Sequence, residues 1–143
     1  MMRLAWIGLF LAVVSQGCWI KWEIPPTPEQ VAHAAKVRED ASKPVTCQRG
    51  DECEIKWARA LAWIHEHSYW KLDTATDSIV TTAGPFSTEH TAYSVLKVPL
   101  GNGVYRLDFQ AKCGVRDALY PKNDICEPKL LEAVASFVNY VNQ

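Results

Sequence analysis

The nine residues Tyr105-Arg106-Leu107-Asp108-Phe109-Gln110-Ala111-Lys112-Cys113 alternate without a break. Tyr105, Leu107, Phe109, Ala111 and Cys113 fall on one side of an extended chain, and the polar residues between them fall on the other. Successive side chains of a strand point to opposite faces, so this pattern predicts a strand that is buried on one face and wet on the other. Such a strand belongs in an antiparallel sheet with one covered face, because parallel strands are covered on both. Just upstream, Leu100-Gly101-Asn102-Gly103 is turn chemistry, since Gly and Asn accept positive φ. Before the turn, Ala92–Val98 reads as a second strand closed by Pro99.

Tyr69–Thr82 is rich in β-branched and aromatic residues. It reads as a strand at Trp70–Ala75, a bend or bulge at Asp77-Ser78, and continuation through Ile79–Thr82. A tight hairpin is the other reading. Gly84-Pro85-Phe86-Ser87 is a loop. Gly50-Asp51-Glu52-Cys53-Glu54 reads as a helix start, with Asp51 able to cap and acidic charge favourable at that end of the helix dipole. Cys53, Trp57, Ala60, Leu61 and Ile64 then form one apolar face, and the helix should end near His67 or Ser68. Pro128 opens a final helix with the stripe Leu130, Leu131, Val134, Phe137, Val138 and Val141. The expected fold class is therefore α+β. In the order α-β-β-β-α, a three-stranded antiparallel meander carries an N-terminal and a C-terminal helix on one face.

The chain divides into residues 1–17, 18–45 and 46–143. In the first part, Arg3 precedes an apolar run from Leu4 to Val14, of signal-peptide length and too short to span a bilayer. Ser15-Gln16-Gly17-Cys18 resembles the lipobox of bacterial lipoproteins, where the thiol takes a diacylglyceryl group before cleavage. It departs from that pattern at Ser15, which stands in place of the usual Leu, so ordinary signal cleavage at the same bond is the alternative. The second part reads as a tether. Thr27 looks like an N-cap with Pro28 at the first helical position and Gln30 three residues on. Pro28–Ala41 has too thin an apolar stripe to dock firmly. Trp19 and Trp22 flank the anchor, where amphipathic rings settle at a membrane surface. The third part is the folded domain.

The 143 residues include 48% hydrophobic residues, enough for a packed core, and the formal net charge is −1. A near-neutral chain without a basic stripe offers no field for nucleic acid. There are five cysteines. An odd count in an exported protein needs an explanation, and lipidation of Cys18 leaves four that can pair. The local pairing Cys47–Cys53 and Cys113–Cys126 locks the turn before the first helix and the loop before the last, with about 2.4 and about 3 kcal/mol in the chain-entropy picture. The crossed pairings close longer loops and would stabilise more in principle, but they require distant partners to meet.

Residue types of catalytic interest are present without catalytic spacing. His65 and His67 stand two apart around Glu66, about 200° apart on a helix, and cannot share one metal. Ser87, Ser94, His90 and Asp108 offer hydrolase side chains, but none lies in a nucleophile elbow. Asp51, Glu52 and Glu54 are explained by the helix dipole. These observations lead us to expect no catalytic residues, no metal and no cofactor. Trp63 lies about 240° round the helix from Trp57. With Tyr69 and Trp70 it could line a second contact surface, of the kind that marks partner or glycan binding. Packing under the Gly84–Ser87 loop or under the tether helix is the plainer alternative.

The stretch Cys47-Gln48-Arg49-Gly50-Asp51-Glu52-Cys53, followed by Lys56-Trp57, Arg59-Ala60 and Trp63, resembles a group of uncharacterised Gram-negative lipoproteins. The Cys113 to Cys126 loop and the helix after it add to the likeness, which covers Cys47–Tyr140. The resemblance implies a lipid anchor and two disulfides and carries no known activity. The expected protein is an exported, non-enzymatic binding, adaptor, inhibitor or immunity module. It would be anchored on the periplasmic side of a membrane, the outer membrane more than the inner, with palmitate among its acyl chains and an envelope protein as partner. The alternative is a small periplasmic hydrolase or glycan-binding domain using Trp63, Tyr69 and Trp70.

Overall fold

A computed structural model describes residues 25–87, 89–114 and 126–143, with side chains of the last segment from Pro128 onward. The leader at 1–17, Cys18, Trp19, Trp22 and the side chain of Cys126 lie outside the described residues.

The elements run α1 (Pro28–Ala41), β1 (Thr46–Gln48), α2 (Asp51–His67), β2 (Leu72–Ala75), β3 (Ile79–Thr82), β4 (Ala92–Gly101), β5 (Val104–Lys112) and α3 (Cys126–Val141). The strands form one antiparallel sheet in the order β1-β5-β4-β3-β2. The α+β class holds, while the three-stranded sheet is corrected to five strands.

Two local causes enlarge the sheet. First, Tyr69–Thr82 folds as the tight hairpin, not as one bulged strand, and its first strand opens at Leu72 instead of Trp70. The Thr76 hydroxyl accepts from the backbone N–H groups of Ser78 (3.3 Å) and Ile79 (3.1 Å), turning the chain within three residues. Second, Thr46–Gln48 adds a short edge strand to β5, with Cys47 opposite Tyr105. A disulfide joins Cys47 to Cys53 with 5.0 Å between their Cα atoms, holding β1 against the first turn of α2. The helix begins at Asp51 with Gly50 as the N-cap residue and no side-chain cap. The acid in play is Glu52, which accepts from the Gln48 N–H at 2.9 Å. Lys56 donates to the Thr46 carbonyl at 2.7 Å and pairs with Glu52 at 3.0 Å, so one outward N–H and one outward carbonyl of β1 are satisfied by side chains.

The β4–β5 hairpin turns as its composition requires. Gly101 pairs with Val104, and Asn102 and Gly103 between them have φ of 52° and 77°, a two-residue turn with positive φ at both positions.

Helices α2 and α3 cover one face of the sheet. Val80, Val95 and Leu107 from the strands meet Trp57, Ala60, Trp63 and Ile64 of α2 and Phe137, Val138 and Val141 of α3. Trp63 is the hub at 1% exposure. Its ring stacks on His67 (centroids 4.2 Å apart) and meets Tyr93, Phe109 and Phe137 edge-on at 5.1, 5.2 and 5.5 Å. Its indole N–H donates to the Ser136 hydroxyl at 3.2 Å. Trp63 is thereby removed from the expected contact surface. Relative to Ala60, Trp57 and Trp63 lie on opposite sides at about 60° each, so they are the two edges of one buried arc.

Helix α1 has the predicted capping box, with Thr27 and Gln30 exchanging bonds. It is docked, however, where a loose tether helix was expected. Asp40 is 4% exposed and accepts from Lys43 (2.6 Å), Lys36 (3.0 Å) and Asn139 of α3 (3.0 Å). Those partners, Lys43 first, then Asn139 and Lys36, hold its carboxyl far below the usual carboxylate range. The latch is polar, which is why an apolar stripe did not announce it. Among the described residues, no helix is long and apolar enough to cross a membrane.

Candidate functional site

The loop between α2 and β2 carries Tyr69 and Trp70, and the β3–β4 loop brings Phe86 and His90 to them. Trp70 is the fixed member. Its backbone N–H donates to the Ser68 hydroxyl (3.1 Å), which donates in turn to the Trp70 carbonyl (2.8 Å). Its indole N–H reaches the His90 carbonyl at 3.4 Å. The indole lies with its ring-fusion bond and Nε1 against Gly84, where an added Cβ would stand 3.0 Å from Trp70 Cε2. Gly84 also has a φ of +84°, so the position suits glycine on two counts.

On this base the other rings are presented outward. Tyr69 stacks on His90 with centroids 3.7 Å apart and planes 6° apart, and it meets Trp70 edge-on at 5.2 Å. Phe86 meets Trp70 edge-on at 5.2 Å. Tyr69 and Phe86 nevertheless remain 68% and 69% exposed. Of the surface expected from sequence, Tyr69 and Trp70 come together and Trp63 does not join them. Phe86 and His90 take its place. The signal for Phe86 is an aromatic within the Gly84–Ser87 loop; His90 has no such signal in the sequence.

Gly84 also borders a cleft of about 280 Å³ on the face of the sheet opposite α2 and α3. Thr81, Ser94 and Gln110 line it from adjacent strands and are in direct register across β3, β4 and β5. Asp73 and Lys112 stand at its two sides. Among the described residues, the side chains of Asp73, Ser94, Gln110 and Lys112 make no hydrogen bond or ion pair with one another or with a neighbour. A larger groove of about 430 Å³ between α1 and α3 differs in this respect: its Lys36, Asp40 and Asn139 are already bonded to each other.

Of the remaining candidates, His67, Asp108 and His90 are engaged in structure, while the Ser87 hydroxyl is buried and makes no hydrogen bond. His67 Nδ1 donates to the Trp63 carbonyl at 2.9 Å, so its ring closes the end of α2 over the core. The Asp108 carboxylate is held by Arg106, and the His90 ring is occupied by Tyr69, so the hydrolase side chains are not gathered with Ser94. Among the described residues, no group of three or more His, Cys, Asp or Glu could hold a metal. Cys113 is disulfide-bonded. Compared with protein-family models, with curated proteins and with solved structures, the chain matches none.

Proposed function

We propose that the chain is an exported lipoprotein, acylated at Cys18 and held at the periplasmic side of a membrane, that acts as a non-enzymatic binding module. Its contact surface is the ridge of Tyr69, Trp70, Phe86 and His90. One observation carries this reading: two large rings stay about two-thirds exposed while packed on a tryptophan fixed by Ser68, Gly84 and His90. Exposed aromatics in a rigid cluster present contact area whose side-chain entropy is already lost, which favours binding over simple packing. The lipobox-like Ser15-Gln16-Gly17-Cys18 and the likeness to Gram-negative lipoproteins support the anchor. In the same reading Cys113 takes Cys126 as its partner, which leaves Cys18 as the odd thiol.

The anchor is tested by intact mass of the protein recovered from membranes. Loss of residues 1–17 with added acyl mass is expected, and Cys18→Ala should release the protein from the membrane fraction; a retained leader would overturn it. The surface is tested by capture from envelope material with the full chain and with the Tyr69→Ala/Phe86→Ala double variant. Identical recovery by both would remove the ridge from the function.

A further inference from the structure

We infer that the ligand of this module is a neutral oligosaccharide, laid along the sheet face opposite α2 and α3 with one sugar ring against the aromatic ridge. The inference rests on the proposed function and adds the ligand class. Three observations on the same patch lead to it.

The first is the row of polar side chains. Thr74, Thr81, Ser94 and Gln110 are opposite one another in successive strands. Strands lie about 4.8 Å apart, so the row extends about 14 Å across the sheet. It supplies hydroxyls and an amide, each of which both donates and accepts. A polyol ligand presents the same mixed capacity along its length, while an apolar peptide face would leave these groups dry and unpaired.

The second is charge. The cleft carries one carboxylate, Asp73, and one ammonium, Lys112, so its net charge is zero. Among the described residues there is no cluster of cations to hold a phosphate or sulfate polymer, and no carboxylate cluster to hold a basic peptide. Asp73 and Lys112 add one strong acceptor and one strong donor without selecting an ion.

The third is the rim. Gly84 belongs both to the cleft wall and to the seat of the Trp70 ring, so the cleft adjoins, at Gly84, the tryptophan on which Tyr69 and Phe86 pack. A flat ring beside directed hydrogen-bonding groups suits a sugar, whose C–H face packs on the ring while its hydroxyls turn to the strands.

The test uses the full chain in detergent, with chitohexaose and cellohexaose as neutral probes and dextran sulfate as the charged one. Binding is read by tryptophan fluorescence and by calorimetry. A saturable response to a neutral hexasaccharide is expected, weakened about tenfold or more by Tyr69→Ala/Phe86→Ala. Asp73→Ala or Gln110→Ala should weaken it about three- to tenfold, and Val31→Ala on exposed α1 should leave it unchanged. Far-UV circular dichroism confirms that each variant is folded. Equal binding of dextran sulfate, or sugar binding that none of the variants weakens, would overturn the inference. If no sugar binds but a protein is captured through Tyr69 and Phe86, the glycan inference falls and the binding module stands. If nothing depends on those rings, both fall.

Discussion

Trp63→Ala should remove a large share of the protein's stability while Tyr69→Ala removes almost none, although both residues are aromatic and lie six positions apart. The contrast follows from burial and from what each ring touches. Trp63 is fully enclosed, with one stacked imidazole and three edge-on rings around it. Truncating a buried Trp or Phe to Ala costs roughly 3–5 kcal/mol, because the cavity refills only in part. The surrounding rings add about 0.5–1.5 kcal/mol per aromatic pair beyond area alone, not additively, which places this site near the upper end. The hydrogen bond to Ser136 adds little, since water can replace it on an exposed serine. A loss of about 4–5 kcal/mol is a large share of the roughly 5–15 kcal/mol typical of a domain. At this size it should lower the melting temperature by roughly 15–30 °C. Tyr69→Ala should stay within about 0.5 kcal/mol. Urea unfolding followed by far-UV circular dichroism measures both. A Trp63→Ala loss below about 1.5 kcal/mol with an unchanged slope, or an equal loss for Tyr69→Ala, would refute the assignment of hub and surface.

Gly84→Ala places a Cβ against the Trp70 ring at a positive φ, and should cost roughly 2 kcal/mol or more. It should also change the near-UV spectrum of the ridge; an unaltered spectrum and melting point would show that the seat is not tight. Cys47→Ser with Cys53→Ser should destabilise by about 2 kcal/mol. Hydrogen exchange should then speed first in β1, which has three residues. The Asp40 carboxyl is lowered by Lys43, Asn139 and Lys36, so its contribution is fully present above its unfolded pKa near 4. That contribution fades as pH falls toward the lower folded value. Acid titration of stability should therefore show a loss below about pH 4 that Asp40→Asn lacks, with exchange in α1 as the local reporter; coincident curves would remove the latch.

The parts of this fold that were readable are those in which one strong local rule acts alone. Tyr105–Cys113 alternates over nine residues, and β5 follows it closely. Thr27, Pro28 and Gln30 define the start of α1 to the residue. Asn102-Gly103 makes the turn its composition demands. The unread parts depend on partners far along the chain. Thr46–Gln48 is a strand because β5 offers an edge and the disulfide holds it there, and three residues carry no periodicity. Asp40 is buried because Asn139, ninety-nine positions later, meets it. Trp63 is ambiguous in sequence because it lies about 240° from Trp57, and only its offset of about 60° from Ala60 shows that it is the second edge of one buried arc. The ridge was half visible: Tyr69 and Trp70 are adjacent in sequence, but Phe86 and His90 arrive only through the β3–β4 loop.

The side chains beside β1 have a consequence for assembly. An unpaired strand border can recruit a copy of itself. Over β1, Glu52 and Lys56 already occupy an outward N–H and an outward carbonyl, so a strand arriving there would have to displace both. Among the described residues no side chain caps the border at β2 in that way, so the two ends of the sheet are unequal. Assembly through this sheet would begin at β2, where an added strand meets less competition.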